Sequence, residues 1–408
     1  MKPSALSPPA SVAAMEAKKG TEGSAPPPPA SAAAISMVLG NDDLLHEILL
    51  RLGFPTSLVR AAVVCRRWFR VASNPAFLRR FRDLHPPRLL GFYICHTRGL
   101  GWMPIERVPQ FVPMLPQPPE LAAVLRRSSF SLDAYESLGT GIMNCRNGRV
   151  LISLFRPDGR FTNGAYLPLQ PTRAMVIVPP LPMKDGEDDT VYKLGRVISK
   201  EDENGLSYFW LMMEFNEERK ATAFLYRLED DVWRIHTSAT TQLPGLSPNT
   251  SNIQLVDDRI YMAGTARSIL VLNLTSSSFC TIKLPDGVSF NDGGILLSRA
   301  NDSGVYLVRL KDLKLCIWLH RAINDSVGGW MLFDTICLRD MCADLKMPKR
   351  TVNIIEVGDN AEFVFLEMGK SILYLDVKSK VLHKVYNSSN GGLHKHDASS
   401  ARQTKDDQ

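Results

Sequence analysis

Residues 39–55 read LGNDDLLHEILLRLGFP, and this stretch predicts the first element of the fold, an amphipathic helix. Asn41 is a favourable N-cap, and Asp42 and Asp43 lie in the first turn, where negative charge interacts well with the helix dipole. The apolar residues that follow have the spacing of one helical face. The Gly-Phe-Pro sequence at the end of the stretch predicts where the helix stops.

Three further short helices are expected up to residue 86. The second is predicted from a Thr56/Ser57 cap, the third around Trp68, and a last turn from Asn74-Pro75. The apolar faces are wider than such short helices need to cover one another. Part of this surface is therefore expected to pack against a partner.

Positive charge is concentrated in the same segment. Between Arg60 and Arg88 there are eight arginines and one acid, Asp83, within a chain of 408 residues whose net charge is +6. The rest of the sequence is close to balanced, so the helical segment is expected to meet an acidic partner.

The order and spacing of these residues resemble the F-box. The matching positions are Leu39-Gly40-x-Asp42-Asp43-Leu44-Leu45-x-Glu47-Ile48-Leu49-x-Arg51-Leu52, then Leu58, Ala61, Val64-Cys65-Arg66-Arg67-Trp68 and Pro75-x-Phe77. Gly40 and Gly53 stand where the family usually has proline, and Arg66 stands for lysine. The match covers about one-eighth of the chain.

This resemblance implies docking onto the Skp-type adaptor of a cullin-RING ubiquitin ligase. The adaptor-binding residues that it implies are Leu39, Leu44, Leu45, Ile48, Leu49, Leu52, Leu58, Ala61, Val64, Cys65 and Trp68. Because adaptors of this type resemble one another in being acidic, Arg60, Arg66, Arg67 and Arg70 are expected to steer the encounter.

Without the resemblance, the same residues have other interpretations. A leucine stripe at helical spacing is usually internal core, and an arginine cluster can be a solvated face or a helix-turn-helix that meets phosphates. Nucleic-acid binding is disfavoured because the third helix places apolar residues among its arginines. Few polar side chains would then be free to read base edges.

Beyond Pro86-Pro87 short β-branched and aromatic runs alternate with turn residues, which is typical of β structure. Four segments share a form, an apolar strand, a turn and a second strand that opens on a large apolar residue. The opening residues are Trp233, Phe279, Trp330 and Leu382, which are 46, 51 and 52 residues apart, and a weaker copy lies at 166–178. A period near 50 predicts propeller blades of kelch type.

Five such units are visible, and strands around 89–94 and 111–112 are expected to form a sixth blade, closing the ring with a C-terminal strand. A β-sandwich is the alternative, although roughly 300 residues is large for one sandwich. The run LHPPRLLGFY, Leu84 to Tyr93, resembles the F-box-associated propeller-like domains of plant F-box proteins, particularly those of grasses.

The expected fold class is therefore α + β multidomain, a small all-α F-box followed by an all-β propeller-like domain of six kelch-type blades. We expect a disordered Ala/Pro-rich tail at 1–36, the F-box at 37–86, the propeller-like domain at 87–387 and a disordered polar tail at 388–408.

No catalytic motif is found in the sequence. Gly99-x-Gly101 and Gly139-x-Gly141 lack the third glycine of a nucleotide-binding loop, and no Gly-x-Ser-x-Gly or His-x-x-x-His occurs. We therefore expect neither enzymatic activity, nor a cofactor, nor a metal site. Seven scattered cysteines and no secretory signal predict reduced thiols and a location in the cytoplasm, the nucleus or both, with no membrane span.

The function expected from the sequence is that of the substrate-recognition subunit of an SCF (Skp–cullin–F-box) ubiquitin ligase, which binds unknown target proteins through the β domain. One alternative is a ligase-independent scaffold or nucleic-acid-associated propeller protein. A propeller enzyme is a third hypothesis that no motif supports.

Overall fold

The computed structural model describes residues 35, 37–85, 88–98, 106–132, 139–146, 148–170, 172, 175–180, 192–202, 205–216, 219–242, 253–301, 303–321, 329–345, 351–387 and 398–402. The chain divides into two compact units between His85 and Pro86. The tail expected at 1–36 lies almost entirely outside the described residues, as do 388–397 and 403–408.

The first unit is helical. After a helical turn at 37–40 it contains α1 (Asp42–Leu50), α2 (Pro55–Ala62), α3 (Arg66–Ala72) and α4 (Pro75–Leu84). The predicted Asn41 cap is confirmed, because its side chain accepts hydrogen bonds from the backbone N–H groups of residues 43 and 44. The cap predicted for α2 is wrong. That helix begins at Pro55, whose fixed φ suits the first helical position, and no side chain caps it.

The core of this unit is small. Its buried apolar residues are Leu45, Leu49, Leu50, Leu58, Ala61, Ala72, Phe77 and Phe81. His85 follows α4, and its Nε2 lies 2.7 Å from the backbone oxygen of Leu50 at the end of α1. This contact draws the first and last helices together.

The second unit is built of antiparallel strands. In chain order its elements are β1 (Leu89–Arg98), β2 (Glu106–Pro113), α5 (Pro119–Arg127), β3 (Gly139–Arg146), β4 (Arg149–Phe155), β5 (Phe161–Tyr166), β6 (Val176–Val178), β7 (Tyr192–Asp202), β8 (Gly205–Phe215), β9 (Lys220–Glu229), β10 (Val232–Gln242), β11 (Gln254–Val256), β12 (Arg259–Thr265), β13 (Ser268–Asn273), β14 (Ser278–Lys283), β15 (Ile295–Arg299), β16 (Gly304–Lys311), β17 (Lys314–Arg321), β18 (Trp330–Cys337), α6 (Arg339–Asp344), β19 (Val352–Val357), β20 (Phe363–Met368), β21 (Ser371–Asp376), β22 (Val381–Asn387) and β23 (Ala398–Arg402).

These strands form five four-stranded sheets, β3–β6, β7–β10, β11–β14, β15–β18 and β19–β22, in which consecutive strands pair. The first strand of each sheet adjoins the first strand of the next, and β23 adjoins both β19 and β3. The inner strands β3, β7, β11, β15, β19 and β23 therefore close a ring. A ring of radially repeated antiparallel sheets is a β-propeller.

The predicted number of six blades is wrong, since the described strands make five four-stranded blades. The remaining sheet has three strands in the order β2–β1–β23. Its β1 packs on both neighbours, because Phe92 lies in one cluster with Phe365 of the fifth blade and Tyr93 lies in another with Ile152 of the first. This sheet stays at three strands because the described chain leaves β2 for α5 and adds no fourth strand. Whether the blades are of kelch type stays a prediction.

Two local expectations also differ from the structure. Residues 398–402, expected in a disordered tail, form β23 and pair with β1. The helical period was expected to end at residue 86, but α5 and α6 follow it. The sequence did carry a signal for α5, since prolines begin it and Arg126 and Arg127 occupy its last turn.

The strand pairs read from the sequence repeat are the third and fourth strands of each blade. Trp233 lies in β10, Phe279 in β14, Trp330 in β18 and Leu382 in β22. The weaker copy corresponds to β5 and β6. Three of the described turns between these pairs use left-handed residues, at Asp230 and Asp231 before β10, at Ser277 before β14 and at Lys380 before β22, which matches the twist of short hairpins.

Candidate functional site

The helical unit exposes many large apolar side chains. They are Ile35, Met37, Val38, Leu44, Ile48, Val59, Val63, Val64, Phe69 and Leu84. Val63 and Met37 are the most open, at 79% and 77% of their possible exposure. We call these ten residues the apolar surface of the helical unit. An exposed apolar surface of this density is typical of protein–protein contacts.

The residues that the F-box resemblance implied for adaptor binding fall into three groups. Leu44, Ile48, Val64 and Cys65 are exposed, whereas Leu39, Leu52 and Trp68 are half-buried. Leu45, Leu49, Leu58 and Ala61 are buried in the core of the unit. The last four shape the helices from within, and contact of the whole set with a partner stays a prediction.

Several exposed residues were not singled out from the sequence. Val59 and Val63 are one helical turn apart, with Val63 N–H bonded to Val59 O at 3.2 Å, and both are exposed. Phe69 of α3 is 59% exposed. The helical period carried a signal for Val59 and Val63, because they face away from Leu58 and Ala61 on the same helix.

The predicted steering arginines do not share one environment. Arg60, Arg66 and Arg70 are exposed, and within the described part of the chain they make no ion pair. Arg67 is half-buried, and its Nε donates to Asp42 Oδ1 at 2.7 Å. Arg67 is therefore held by its own unit, whereas the other three remain accessible to an acidic surface.

In the propeller, neighbouring inner strands are tied by buried or half-buried polar side chains. These bonds run from Ser199 Oγ to Asn144 Oδ1 (2.9 Å), from Gln254 Nε2 to Leu297 O (3.1 Å) and from Ser298 Oγ to Gly358 O (2.6 Å). Each bond joins one blade to the next. They hold the ring together, and every polar atom in them already has a partner.

Cys145 on the inner strand β3 is a nucleophile in residue type but not in charge state. Burial, with a smaller contribution from the negative charge of Glu356, raises the pKa of its thiol to about 12. A thiol is reactive as the thiolate, so Cys145 stays neutral and unreactive near pH 7. Burial likewise raises the pKa of Tyr208, although Arg149 opposes that shift.

Among the described residues there is no group of three or more His, Cys, Asp or Glu side chains that could hold a metal ion. None of the helices there has both the length and the apolar character needed to cross a membrane.

The outer strand of the fourth blade, β18, carries a second exposed apolar cluster. Met331, Leu332 and Phe333 are consecutive and each is more than half exposed. In the described residues, β18 pairs with β17 on one side and with no strand on the other. Charge or proline accompanies other outer strands, such as Arg234 in β10 and Pro179 after β6, and β18 itself carries Asp334 directly after its apolar run; these are common devices against edge pairing.

Sequence comparison with protein families matches both units. Residues 42–84 match the F-box-like family. Residues 141–396 match the family described as F-box protein AT5G49610-like, beta-propeller, which is more than half of the chain. The chain belongs to this family of F-box proteins. The predicted kinship with plant F-box proteins that carry a propeller is confirmed, and the narrower likeness to grass members stays a prediction.

Membership defines the general character of both units. F-box-like domains in general bind Skp-type adaptors, and F-box and propeller domains are typically non-catalytic interaction modules. The helical unit described above is thus an F-box, and its apolar surface lies within or next to the matched residues.

Among solved structures, the extracellular domain of the one component system BT4673 from B. thetaiotaomicron is similar, with 11% sequence identity and a TM-score of 0.29. The match covers 62% of this chain but 28% of that one, and it carries no argument about function. The comparison with curated proteins gives no match.

Proposed function

We propose that this protein is the substrate-recognition subunit of an SCF ubiquitin ligase, acting without catalysis of its own in the cytoplasm, the nucleus or both. The F-box docks on the Skp-type adaptor, and the propeller binds the proteins to be ubiquitinated. Such a receptor accelerates transfer by raising the effective concentration of target lysines near the ubiquitin-charged enzyme.

The observation that carries this proposal is the apolar surface of the F-box. Ile48 on α1 and Val64 after α2 expose apolar side chains, whereas Leu45, Leu49 and Leu58 of the same two helices are buried in the core of the unit. The surface is therefore presented by a folded support. Arg60, Arg66 and Arg70 add exposed positive charge, which favours encounter with an acidic partner.

The test is co-purification of the full chain with a plant Skp-type adaptor. The double variant Ile48→Asp with Val64→Asp places two charges on the apolar surface without touching the buried core. We expect adaptor binding to be lost, because a buried unpaired carboxylate in an interface is strongly unfavourable. Circular dichroism checks that the variant remains folded.

The matched control is Val232→Asp on β10, where the valine is 51% exposed in the propeller. It should bind the adaptor as the wild type does. Unchanged adaptor binding by the Ile48/Val64 double variant would refute the assigned surface. If the wild-type chain does not bind the adaptor but binds DNA with a steep salt dependence, the nucleic-acid alternative is favoured instead.

Assembly into an active ligase needs a separate measurement. When the chain, adaptor, cullin–RING pair, ubiquitin-activating enzyme and charged ubiquitin-conjugating enzyme are combined, we expect ubiquitin on lysines of the chain itself, because they are held close to the donor. This readout needs no knowledge of the target. No transfer above the level seen with the Ile48/Val64 double variant would contradict the SCF assignment.

A further inference from the structure

Arg67 of the F-box is half-buried and makes three hydrogen bonds within its own unit. Its Nε donates to Asp42 Oδ1 at 2.7 Å, Nη1 to Leu39 O at 2.6 Å and Nη2 to Gly40 O at 2.7 Å. All three guanidinium nitrogens are therefore engaged at short distance. We call this set of three bonds the Arg67 clamp.

The clamp joins two negatively charged or partly negative groups, the carbonyl end of a helical turn and a carboxylate. Leu39 and Gly40 close the helical turn at 37–40, and the last carbonyls of a helical turn lack partners within it. Asp42 begins α1. The Arg67 guanidinium on α3 thus bonds both the carbonyls at the end of one helical turn and the carboxylate at the start of the next helix. Both groups carry negative charge, so they favour a cation between them.

The turn at 37–40 has few other restraints. A Cβ at Gly40 would meet no atom within 4 Å, so packing does not hold this residue, and glycine adds conformational freedom. The turn nevertheless carries Met37 and Val38, at 77% and 39% exposure, which belong to the apolar surface. The clamp bonds the two residues that follow them, Leu39 and Gly40, and so restrains the turn that carries both side chains.

We propose that Arg67 is a positioning residue for adaptor binding, which fixes Met37 and Val38 in their docking geometry rather than steering the partner by charge. The proposal rests on the proposed function, since it assumes that the apolar surface binds a Skp-type adaptor. It also replaces the role expected for Arg67 from the sequence, while Arg60, Arg66 and Arg70 keep theirs.

The two roles predict different kinetics. Steering by charge raises the association rate, whereas a preorganised surface mainly slows dissociation. Lysine separates the two roles further, because it keeps the charge but cannot bond three acceptors in the planar geometry of the guanidinium.

The experiment measures association and dissociation of the full chain on an immobilised plant Skp-type adaptor. For Arg67→Met and Arg67→Lys we expect dissociation faster by about tenfold and association within about twofold of the wild type. The control Arg80→Met removes the same charge from an exposed pair with Glu47, N–O distance 3.2 Å, and should leave dissociation unchanged. Wild-type dissociation by Arg67→Lys, or slowed association alone, would overturn the proposal.

A rescue variant separates positioning from loss of folding. Gly40→Ala has room for its Cβ and restricts the unfolded turn, so in the Arg67→Met background it should recover part of the slow dissociation. Suppose that Gly40→Ala restores none of the slow dissociation and that Arg67→Met also lowers the unfolding midpoint of the F-box. The faster dissociation would then follow from lost stability, Arg67 would be a general stabiliser, and the proposal would be overturned.

Amide hydrogen exchange of the unbound chain distinguishes failure of this inference from failure of the proposed function. If the wild type does not bind the adaptor, the proposed function fails and the positioning role fails with it. Faster exchange at residues 39–43 in Arg67→Met would then still show that the clamp orders the turn. If the wild type binds and exchange at 39–43 is unaffected by Arg67→Met, the clamp is what fails.

Discussion

The F-box and the propeller place their apolar side chains in opposite ways. Among the described residues, ten of the twenty exposed large apolar side chains lie in the short stretch 35–84, and the other ten are spread over the much longer propeller. The F-box closes one small cluster, whereas the propeller fills the spaces between blades with several larger ones. A unit of about 50 residues buries a smaller fraction of its surface than a larger domain does, which leaves these side chains available for contact with a partner.

The propeller has one departure from this contrast, the exposed run Met331–Phe333 on β18. It is rigidly framed, because Trp330 Nε1 donates to Lys283 O of the third blade at 2.7 Å, and Asp334 pairs with Lys380 of the fifth at 3.0 Å. The propeller therefore combines a well-filled core with one outer strand on which three consecutive large apolar side chains are exposed.

The largest effect is expected from a phenylalanine of the propeller core. Phe365 is fully buried where the fifth blade meets the three-stranded sheet, and Phe365→Ala should lower the free energy of unfolding by about 3–5 kcal/mol. Phe69→Ala in the F-box, where the ring is 59% exposed, should change it by less than about 1 kcal/mol while weakening adaptor binding. Denaturant unfolding measures the free energy of unfolding of both variants, and adaptor titration measures their binding. Equal destabilisation by the two substitutions would contradict the contrast between the propeller core and the F-box surface.

Two adjacent leucines of α1 make the same comparison within the F-box. Leu45 is buried and Leu44 is 45% exposed. We expect Leu45→Ala to destabilise the unit by about 2–5 kcal/mol, and Leu44→Ala to reduce adaptor affinity with little loss of stability. Hydrogen exchange of the F-box amides reports stability separately from the propeller. A stable Leu45→Ala would show that the small core is less essential than its burial indicates.

A smaller effect is expected from the polar bonds between blades. Ser298 is 1% exposed and donates to Gly358 O, which also accepts from Ala361 N–H at 3.0 Å. Ser298→Ala should therefore cost about 0.5–1.5 kcal/mol, because that carbonyl loses one of its two hydrogen bonds. Ser276→Ala removes an exposed bond to Ser278 and should cost less than about 0.5 kcal/mol. Thermal unfolding of the two variants measures both losses of stability. A larger loss for Ser276→Ala than for Ser298→Ala would contradict the view that buried polar bonds between the blades hold the ring together.

The smallest effect is expected at the exposed Glu47–Arg80 pair of the F-box, whose side chains are about half exposed. Glu47→Gln should change stability by less than about 1 kcal/mol, and by still less at high salt. Hydrogen exchange of the F-box amides at two salt concentrations measures this. A large, salt-independent loss would mean that the pair supports the F-box as strongly as the buried core does.

The sequence repeat predicted half of each blade and missed the other half. The third and fourth strands are joined by short turns in the second, third and fifth blades, and the pairs recur with a period near 50, so local pattern was sufficient. The inner strands β3, β7, β11, β15 and β19 follow longer and more variable connections. Their role depends on which strand of each blade lies at the centre of the ring, and the sequence pattern carries little information on the position of a strand within its sheet.

The blade count was wrong for a related reason. Strands around 89–94 and 111–112 were expected, and both exist as β1 (Leu89–Arg98) and β2 (Glu106–Pro113). The C-terminal strand that pairs with them lies at 398–402, inside the tail that was expected to be disordered. The pairing joins residues separated by about 300 positions. Closure by a C-terminal strand was expected, but sequence period could not locate that strand, because ring closure is a property of the whole circle of blades.

At the F-box, the order of apolar and charged residues was enough to identify the docking unit, because short amphipathic helices are specified by local spacing and caps such as Asn41 and Asn74. The same spacing could not separate Leu44, which is exposed, from Leu45, which is buried. Nor could it show that Arg67 turns back onto Leu39, Gly40 and Asp42. Helix identity follows from neighbours along the chain, whereas burial and clamp contacts depend on how separate helices cross, and those distances exist only in the folded unit.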